Sequence, residues 1–337
     1  MTEVAKPFKP VVAKETDEDL YQKNPHIRQW RETGLPIQRT VKYNRHPTSE
    51  ATVYKWEDED RERSVSHWGQ LKLLLSEIEF LSLYSDPDDV IVYIGGAPGV
   101  HISLLASLFT DLKFILFDPA EFDARLYNYD NIEIRQQLFT SIDSLKYRGA
   151  NVLLISDIRS ADTDLEERSI IEEKIIQDMR LQESIYELLQ PKKALLKFRL
   201  PYPHVPTIAR FGGKFNYLDG EVFIQAYARK RSSETRLVPN GKKKDWDLFE
   251  YQNAMYDYNF RRRVAIYSHP KIEGLDDCYD CYTMYYILKK YLDIYKSDEN
   301  PKTIEEIAKQ IYGGLAGGRF NPLTRPVNIG ERKLQHD

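Results

Sequence analysis

Cysteine is almost absent from this 337-residue chain: Cys278 and Cys281 are the only two. A disulfide-stapled secreted scaffold is therefore excluded. The two form a single C-x-x-C with no second pair, so a four-ligand zinc site is not expected and the thiols read as structural. The histidines are isolated and show no ligand spacing, so no metal is expected. Long apolar runs are also lacking. The longest stretch free of Asp, Glu, Lys and Arg, Val90 to Thr110, is interrupted by Gly95, Gly96, Pro98 and Gly99. It reads as strand–turn–helix, and no membrane span is expected. The opening residues MTEVAKPFKP hold no apolar segment, so no secretory leader is expected.

Apolar residues make up 42% of the chain, enough for a sizeable core. The net charge is only −4, but it is unevenly spread. Residues 191–270 hold 16 of the 48 basic residues and 7 of the 52 acidic ones. A basic region in an otherwise acidic chain suggests a local polyanion footprint, although an ordinary solvated face has the same composition.

Residues 1–50 are polar and carry Pro7, Pro10, Pro25, Pro36 and Pro47, which predicts an extended arm. Residues 51–297 read as one domain and 298–337, with Gly313-Gly314, Gly317-Gly318, Pro322 and Pro326, as a loose tail. Within the domain, Leu71, Leu74, Leu75, Ile78 and Leu81 give residues 69–84 an apolar stripe at helical spacing. Short β-branched runs follow at Val90–Ile94, Lys113–Phe117, Ile132–Ile134, Val152–Ile155 and Ala194–Phe198. Between the last two lies a long helical pattern with Ile171, Ile175, Met179, Ile185, Leu188 and Leu189 on one side, stopped by Pro191. Apolar strands alternating with helices predict an α/β fold with a parallel sheet covered on both faces. Strands at Glu221–Tyr227 and around Arg236–Val238, with a turn at Asp219-Gly220 leading into the first, predict a late antiparallel hairpin.

Three constellations could carry chemistry. Gly95-Gly96-Ala97-Pro98-Gly99 closes the first strand and opens a helix, with Pro98 suited to its first turn. Asp118 ends the second strand, where a carboxylate can accept hydrogen bonds from ribose hydroxyls. The spacing is not G-x-G-x-x-G, so a nucleoside-type ligand fits better than a dinucleotide; a βα turn without a ligand is the plain alternative. The second constellation is scattered: Lys72 on the first helix, Asp157 after the fourth strand, Lys197 in the fifth, and Glu234 in the hairpin. Strand ends at one edge of an α/β sheet share a crevice. Lys197 is a cation inside the apolar run Ala194-Leu195-Leu196-Lys197-Phe198. A buried ammonium must be paired or discharged, and a discharged amine is a base. The alternative is a lysine that snorkels from a strand end. The third interleaves aromatic and basic residues: Tyr202, Tyr227, Arg229-Lys230-Arg231, Lys242-Lys243-Lys244, Trp246, Tyr251, Tyr256, Tyr258 and Arg261-Arg262-Arg263. Such residues track phosphates and stack on bases, or they build a core.

Five segments together resemble a known family. They are Gly69–Leu75, Val92–His101, Ile155–Ser160, Leu196–Arg199 and Ser233–Leu237. They are similar to the poxvirus cap-specific mRNA 2′-O-methyltransferases, which also serve as the regulatory small subunit of the viral poly(A) polymerase. The likeness runs from about Tyr54 to Leu288. It implies a class I S-adenosylmethionine-dependent methyltransferase sheet, Rossmann-like, and a catalytic tetrad of Lys72, Asp157, Lys197 and Glu234, with Lys197 as general base. The resemblance gives the donor site to Gln70, Gly95, Gly96, Ala97, Pro98, Gly99, His101, Asp118 and Asp157. Cap binding falls to Tyr54, Tyr202 and Glu250. Arg231 stands where a third aromatic ring is expected, and His204 where an acid is. RNA contacts fall to Arg199, Arg229, Lys230, Arg231, Lys242, Lys243 and Lys244. The implied partners are capped mRNA and a poly(A) polymerase catalytic subunit, the implied location the cytoplasm of an infected cell or the virion. A non-catalytic RNA-binding regulatory subunit is the competing reading.

Overall fold

The computed structural model describes residues 69–149, 151–161, 166–228, 232–259, 279–295 and 302–315, and positions 269, 270, 272 and 275. The expected arm over 1–50 lies outside them, as do Tyr54, Arg229, Lys230, Arg231, Arg261, Arg262, Arg263 and Cys278.

The first helix, α1, spans Gly69–Tyr84, and the five apolar residues of the predicted stripe are all buried. Ser85 satisfies its end, donating from both backbone N and Oγ to the Leu81 carbonyl, and Pro87 follows. Next come β1 (Val90–Ile94), α2 (Val100–Leu108), β2 (Lys113–Phe117), β3 (Ile132–Arg135) and α3 (Ser141–Lys146). They are followed by β4 (Val152–Ser156), α4 (Arg168–Leu189), β5 (Lys193–Phe198), β6 (Lys214–Phe223) and β7 (Thr235–Asp247). Helices α5 (Leu248–Asp257), α6 (Tyr279–Tyr295) and α7 (Ile304–Leu315) complete the described chain.

The seven strands form one sheet in the order β3-β2-β1-β4-β5-β7-β6. Pairing is parallel from β3 through β5, and β7 runs antiparallel to both its neighbours. This is the parallel sheet with a late antiparallel pair that the strand pattern predicts, and it agrees with the class I methyltransferase sheet that the resemblance implies. Successive side chains alternate between the two faces. Ile91 and Tyr93, Phe114 and Leu116, and Leu153 and Ile155 point to the layer of α1, α2, α6 and α7. Val92 and Ile94, Ile115 and Phe117, and Val152 and Leu154 point to α4 and α5.

Four expectations need correction. Residues 298–337 are not simply a loose tail: α7 buries Ile307, Ala308, Ile311 and Tyr312 in the core. It is started by a reciprocal cap, in which Thr303 N donates to Glu306 Oε2 (2.6 Å) and Glu306 N to Thr303 Oγ1 (3.2 Å). Asp219-Gly220 is not a turn. Strand β6 runs through it with a register irregularity between Leu218 and Gly220, and the strand ends at Phe223 rather than Tyr227. Pro98 precedes α2 rather than sitting in its first turn. In α4, Leu188 is exposed, while Glu172 and Gln182 face inward, where polar partners await them.

Gly220 serves close approach: a Cβ there would sit 2.2 Å from the Val238 carbonyl oxygen on β7. Gly220→Ala is therefore expected to cost about 1–3 kcal/mol as an overpacking change. A fall in urea midpoint at unchanged slope would show it; an unchanged midpoint would contradict the contact.

Candidate active site

Lys72, Asp157, Lys197 and Glu234 come from segments far apart in the chain, and the fold brings them together. Period-two alternation does most of this. Asp157, Lys197 and Arg236 have the parity of Ile155, Leu195 and Val238, so all three sit on the sheet face that α1 covers. Register sets them side by side: Ser156 pairs with Leu196, and Lys197 with Arg236. Helix α1 lowers Lys72 onto them.

The contacts are direct. Lys72 Nζ lies 2.5 Å from Glu234 Oε1. Lys197 Nζ lies 3.3 Å from Asp157 Oδ1 and 3.8 Å from Glu234 Oε2. The four side chains are 13–18% exposed, so Lys197 is a paired, part-buried lysine rather than a snorkelling one. Arg236, 2% exposed, is a fifth member: its Nη2 is 2.8 Å from Asp157 Oδ1 and 3.6 Å from Glu234 Oε1. In the amide orientation that satisfies its neighbours, Gln225 donates to Glu234 Oε1 (3.2 Å) and accepts from Arg236 Nε (2.9 Å). Arg236 and Gln225 were not among the residues picked from the sequence. Gln225, within Val222-Phe223-Ile224-Gln225-Ala226-Tyr227, carries a signal like that of Lys197, a polar group in an apolar run, whereas Arg236 follows Ser232-Ser233-Glu234-Thr235 and carries none.

Burial lowers the Lys72 ammonium below its ordinary value, and Glu234 only partly offsets this. Burial works against ionised Glu234, but Lys72, Lys197 and Arg236 outweigh it and hold the carboxyl well below the carboxylate range. Asp157 is lowered in the same way, with Lys197 and Arg236 overcoming its burial. A depressed carboxyl stabilises the fold above its unfolded value and loses that contribution as pH falls toward the folded one. The stability gap between wild type and Glu234→Gln should therefore be full at pH 6–7 and shrink as pH falls below the ordinary value of 4.5. Urea unfolding across that range measures it; a gap that widens on acidification would contradict the pairing.

The glycine loop over residues 95–99 adjoins this cluster. Gly95 has φ +78°, and a Cβ there would meet the Asp157 carbonyl carbon at 2.8 Å. Gly95 N donates to the Phe117 carbonyl and Asp157 N to that of Ile94, so the ends of β1, β2 and β4 are tied at one point. Asp118 accepts from Ala97 N (3.2 Å) and Ala120 N (2.8 Å), bridging the glycine loop to the end of β2. Gln70 Oε1 lies 2.8 Å from His101 Nδ1. His101 is 2% exposed, and its Nε2 lies 3.3 Å from both Tyr93 Oη and Glu77 Oε1. Both ring nitrogens are thus engaged inside the protein: His101 braces the loop against α1 rather than facing a ligand.

A cavity of about 760 Å³ opens over the tetrad, and Gln70, Arg168, Arg199 and Tyr202 are among its lining. Glu172, 1% exposed, organises one wall: it pairs with Arg199 Nη2 (2.5 Å) and accepts from Tyr202 N (2.9 Å). The Arg199 and Arg168 guanidinium carbons lie 4.0 and 5.3 Å from the Tyr202 ring centroid, so that ring already carries cations. Glu250, at the start of α5, is not part of this lining, nor are residues 95–99 and Asp118. Among the described members of the expected basic patch, Arg199, Lys243 and Lys244 have acidic partners. Lys243 pairs with Glu183 and Glu187, and Lys244 with Asp219 while lying over Trp246. Tyr227, Trp246, Tyr251, Tyr256 and Tyr258 are buried, so they belong to the core rather than to a stacking platform. Among the described residues no cluster suited to a metal ion is found, and no described helix is long and apolar enough to cross a membrane.

Comparison with known proteins gives the same direction. Residues 42–315 match the family described as "Poly A polymerase regulatory subunit". A cap-specific mRNA (nucleoside-2′-O-)-methyltransferase of Fowlpox virus (strain NVSL) is 31% identical over 261 residues, covering 70% of this chain and 80% of the relative. The protein of that description from Myxoma virus (strain Lausanne) is 29% identical over 258 residues, covering 67% and 70%. A solved coclaurine N-methyltransferase bound to N-methylheliamine and SAH overlaps 93% of this chain and 84% of its own, at 12% identity and a TM-score of 0.25, a likeness too weak to carry an argument.

Proposed function

The chain belongs to the Poly A polymerase regulatory subunit family, and on that footing we propose that it methylates RNA, at the ribose 2′-oxygen of the nucleotide beside an mRNA cap, with S-adenosylmethionine as donor. One observation carries this reading: two lysines and two carboxylates meet in one cavity, and the backbone of one of those carboxylates, Asp157, packs against Gly95 of the glycine loop.

The donor site fits such a group. Asp118 spends only part of its acceptor capacity on Ala97 and Ala120, leaving lone pairs for ribose hydroxyls at a crevice outside the strand ends. Gln70 and the 95–99 loop flank it. When bound, S-adenosylmethionine supplies an already activated methyl group. The protein's share is to align the acceptor and to remove a proton from a poor acid. Lys197 does the second. Its Nζ is held loosely, at 3.3 and 3.8 Å, and can turn to a hydroxyl, whereas Lys72 is locked on Glu234 at 2.5 Å. The cluster of three cations and two carboxylates becomes neutral on loss of one lysine proton, so an amine here leaves no uncompensated charge. Asp157 and Glu234 aim Lys197, and Arg236 holds both carboxylates.

Capped RNA is the proposed acceptor, with Tyr54, Tyr202 and Glu250 the proposed cap contacts and Arg199 a backbone contact. The family description also supports a second role, beside a poly(A) polymerase catalytic subunit, and stimulated tail elongation is its test; the proposed location is the cytoplasm of an infected cell or the virion.

The reading is tested with labelled donor on short capped RNA and on the same RNA lacking the 2′-hydroxyl next to the cap. Label is expected in the first alone; label in both would overturn the 2′-O assignment. Asp118→Ala is expected to weaken donor binding roughly tenfold or more, the value of one or two charged hydrogen bonds. Unchanged affinity in an equilibrium titration would remove Asp118 from the donor site.

A further inference from the structure

The segment that delivers Glu234 to the tetrad is pinned from three directions. Asn259 donates to the Ser232 carbonyl (2.7 Å). The Tyr251 hydroxyl donates to the Ser233 carbonyl. Ser233 Oγ donates to the Tyr202 hydroxyl at 3.2 Å. Tyr251 and Asn259 are buried to 1% and 3% exposure, so those anchors belong to the core. Tyr202 differs: it lines the cavity, and its other attachments, to Glu172 and Arg199, are cavity-wall contacts.

We propose that Tyr202 is a positioning residue for the tetrad: through its hydroxyl it holds Ser233, and so fixes Glu234 against Lys72 and Lys197. A substrate resting on the cavity wall would set the ring, the ring would set Ser233, and the next residue in the chain is the carboxylate that aims the base. This gives Tyr202 a role separate from any contact between its ring and the RNA. It rests on the methyl-transfer reading above, since the tetrad is what it positions.

The separation is testable because the two roles use different atoms. Tyr202→Phe keeps the ring and removes the hydroxyl; Ser233→Ala removes the other end of the same bond. Each is expected to lower kcat about fivefold, the usual value of one hydrogen bond, with KM for capped RNA unchanged. The double variant should be no worse than either single one, because both remove one interaction. Wild-type kcat in Tyr202→Phe, a change confined to KM, or additive effects would each overturn the proposal. A fall in melting temperature with kcat preserved would reduce the bond to a structural one and overturn it too. If the wild-type protein transfers no methyl group at all, the failure lies instead with the methyl-transfer reading, and the two outcomes are distinct.

Discussion

Lys197→Arg should lower methyl transfer by about 10²–10⁴-fold, the range general-base catalysis contributes, while S-adenosylmethionine binds as before. Arginine keeps the positive charge and most of the length, so it tests the proton rather than the ion pair. A guanidinium does not give up its proton in a protein, and its planar fork would engage Asp157 and Glu234 differently from an ammonium. Donor affinity should hold because the bonds of Asp118, Gln70 and the glycine loop run to residues other than Lys197, and arginine keeps a cation beside Asp157, the donor-site residue that Lys197 does contact. Single-turnover kinetics with equilibrium donor binding read both quantities. Full activity in the variant would remove Lys197 as the base.

The second large effect is on stability. Arg236→Leu should destabilise the fold by about 3–5 kcal/mol, the cost of breaking a buried ion pair from one side. Arg236 is 2% exposed and reaches both Asp157 and Glu234. Its removal leaves two part-buried carboxylates facing each other with less positive charge between them. Burial opposes the guanidinium charge, but the two carboxylates outweigh it and hold the group firmly protonated. Arg236→Lys should recover only part of the loss, since one ammonium cannot serve Asp157, Glu234 and Gln225 together. Urea unfolding of both variants provides the comparison. A loss under 1 kcal/mol in Arg236→Leu would mean that the two carboxylates are satisfied without it.

Much of this arrangement is legible in the chain, and the illegible parts have physical reasons. Helix α1 is plain because leucines at helical spacing are bounded by Gly69 and Pro87. Lys197 stands out because a cation interrupts an apolar strand, whereas Arg236 follows the polar run Ser232–Thr235 and does not. Helix α7 is harder: two glycines and the surrounding prolines mask a capping box at Thr303–Glu306 and a helical stripe of Ile304, Ile307, Ala308, Ile311 and Tyr312. Gly220 reads as a turn residue because local sequence does not show that β7 passes within van der Waals distance. The lysines at 242–244 look like an anion-binding patch because the acidic partners of Lys243 and Lys244 lie far off in the chain, in α4 and β6. The partners of Gln225 and Glu172 are hidden for a related reason: only the fold reveals that their polar atoms face Arg236 and Tyr202.

We propose the five-membered cluster of Lys72, Asp157, Lys197, Glu234 and Arg236 as a methyl-transfer site for RNA. Its most direct test is transfer from labelled S-adenosylmethionine to capped and uncapped RNA, wild type beside Lys197→Ala. Label is expected in the 2′-O position of capped RNA with wild type and should be lost in the variant, with RNA binding retained by both. Equal labelling by wild type and Lys197→Ala, or RNA binding without any transfer by wild type, would contradict it.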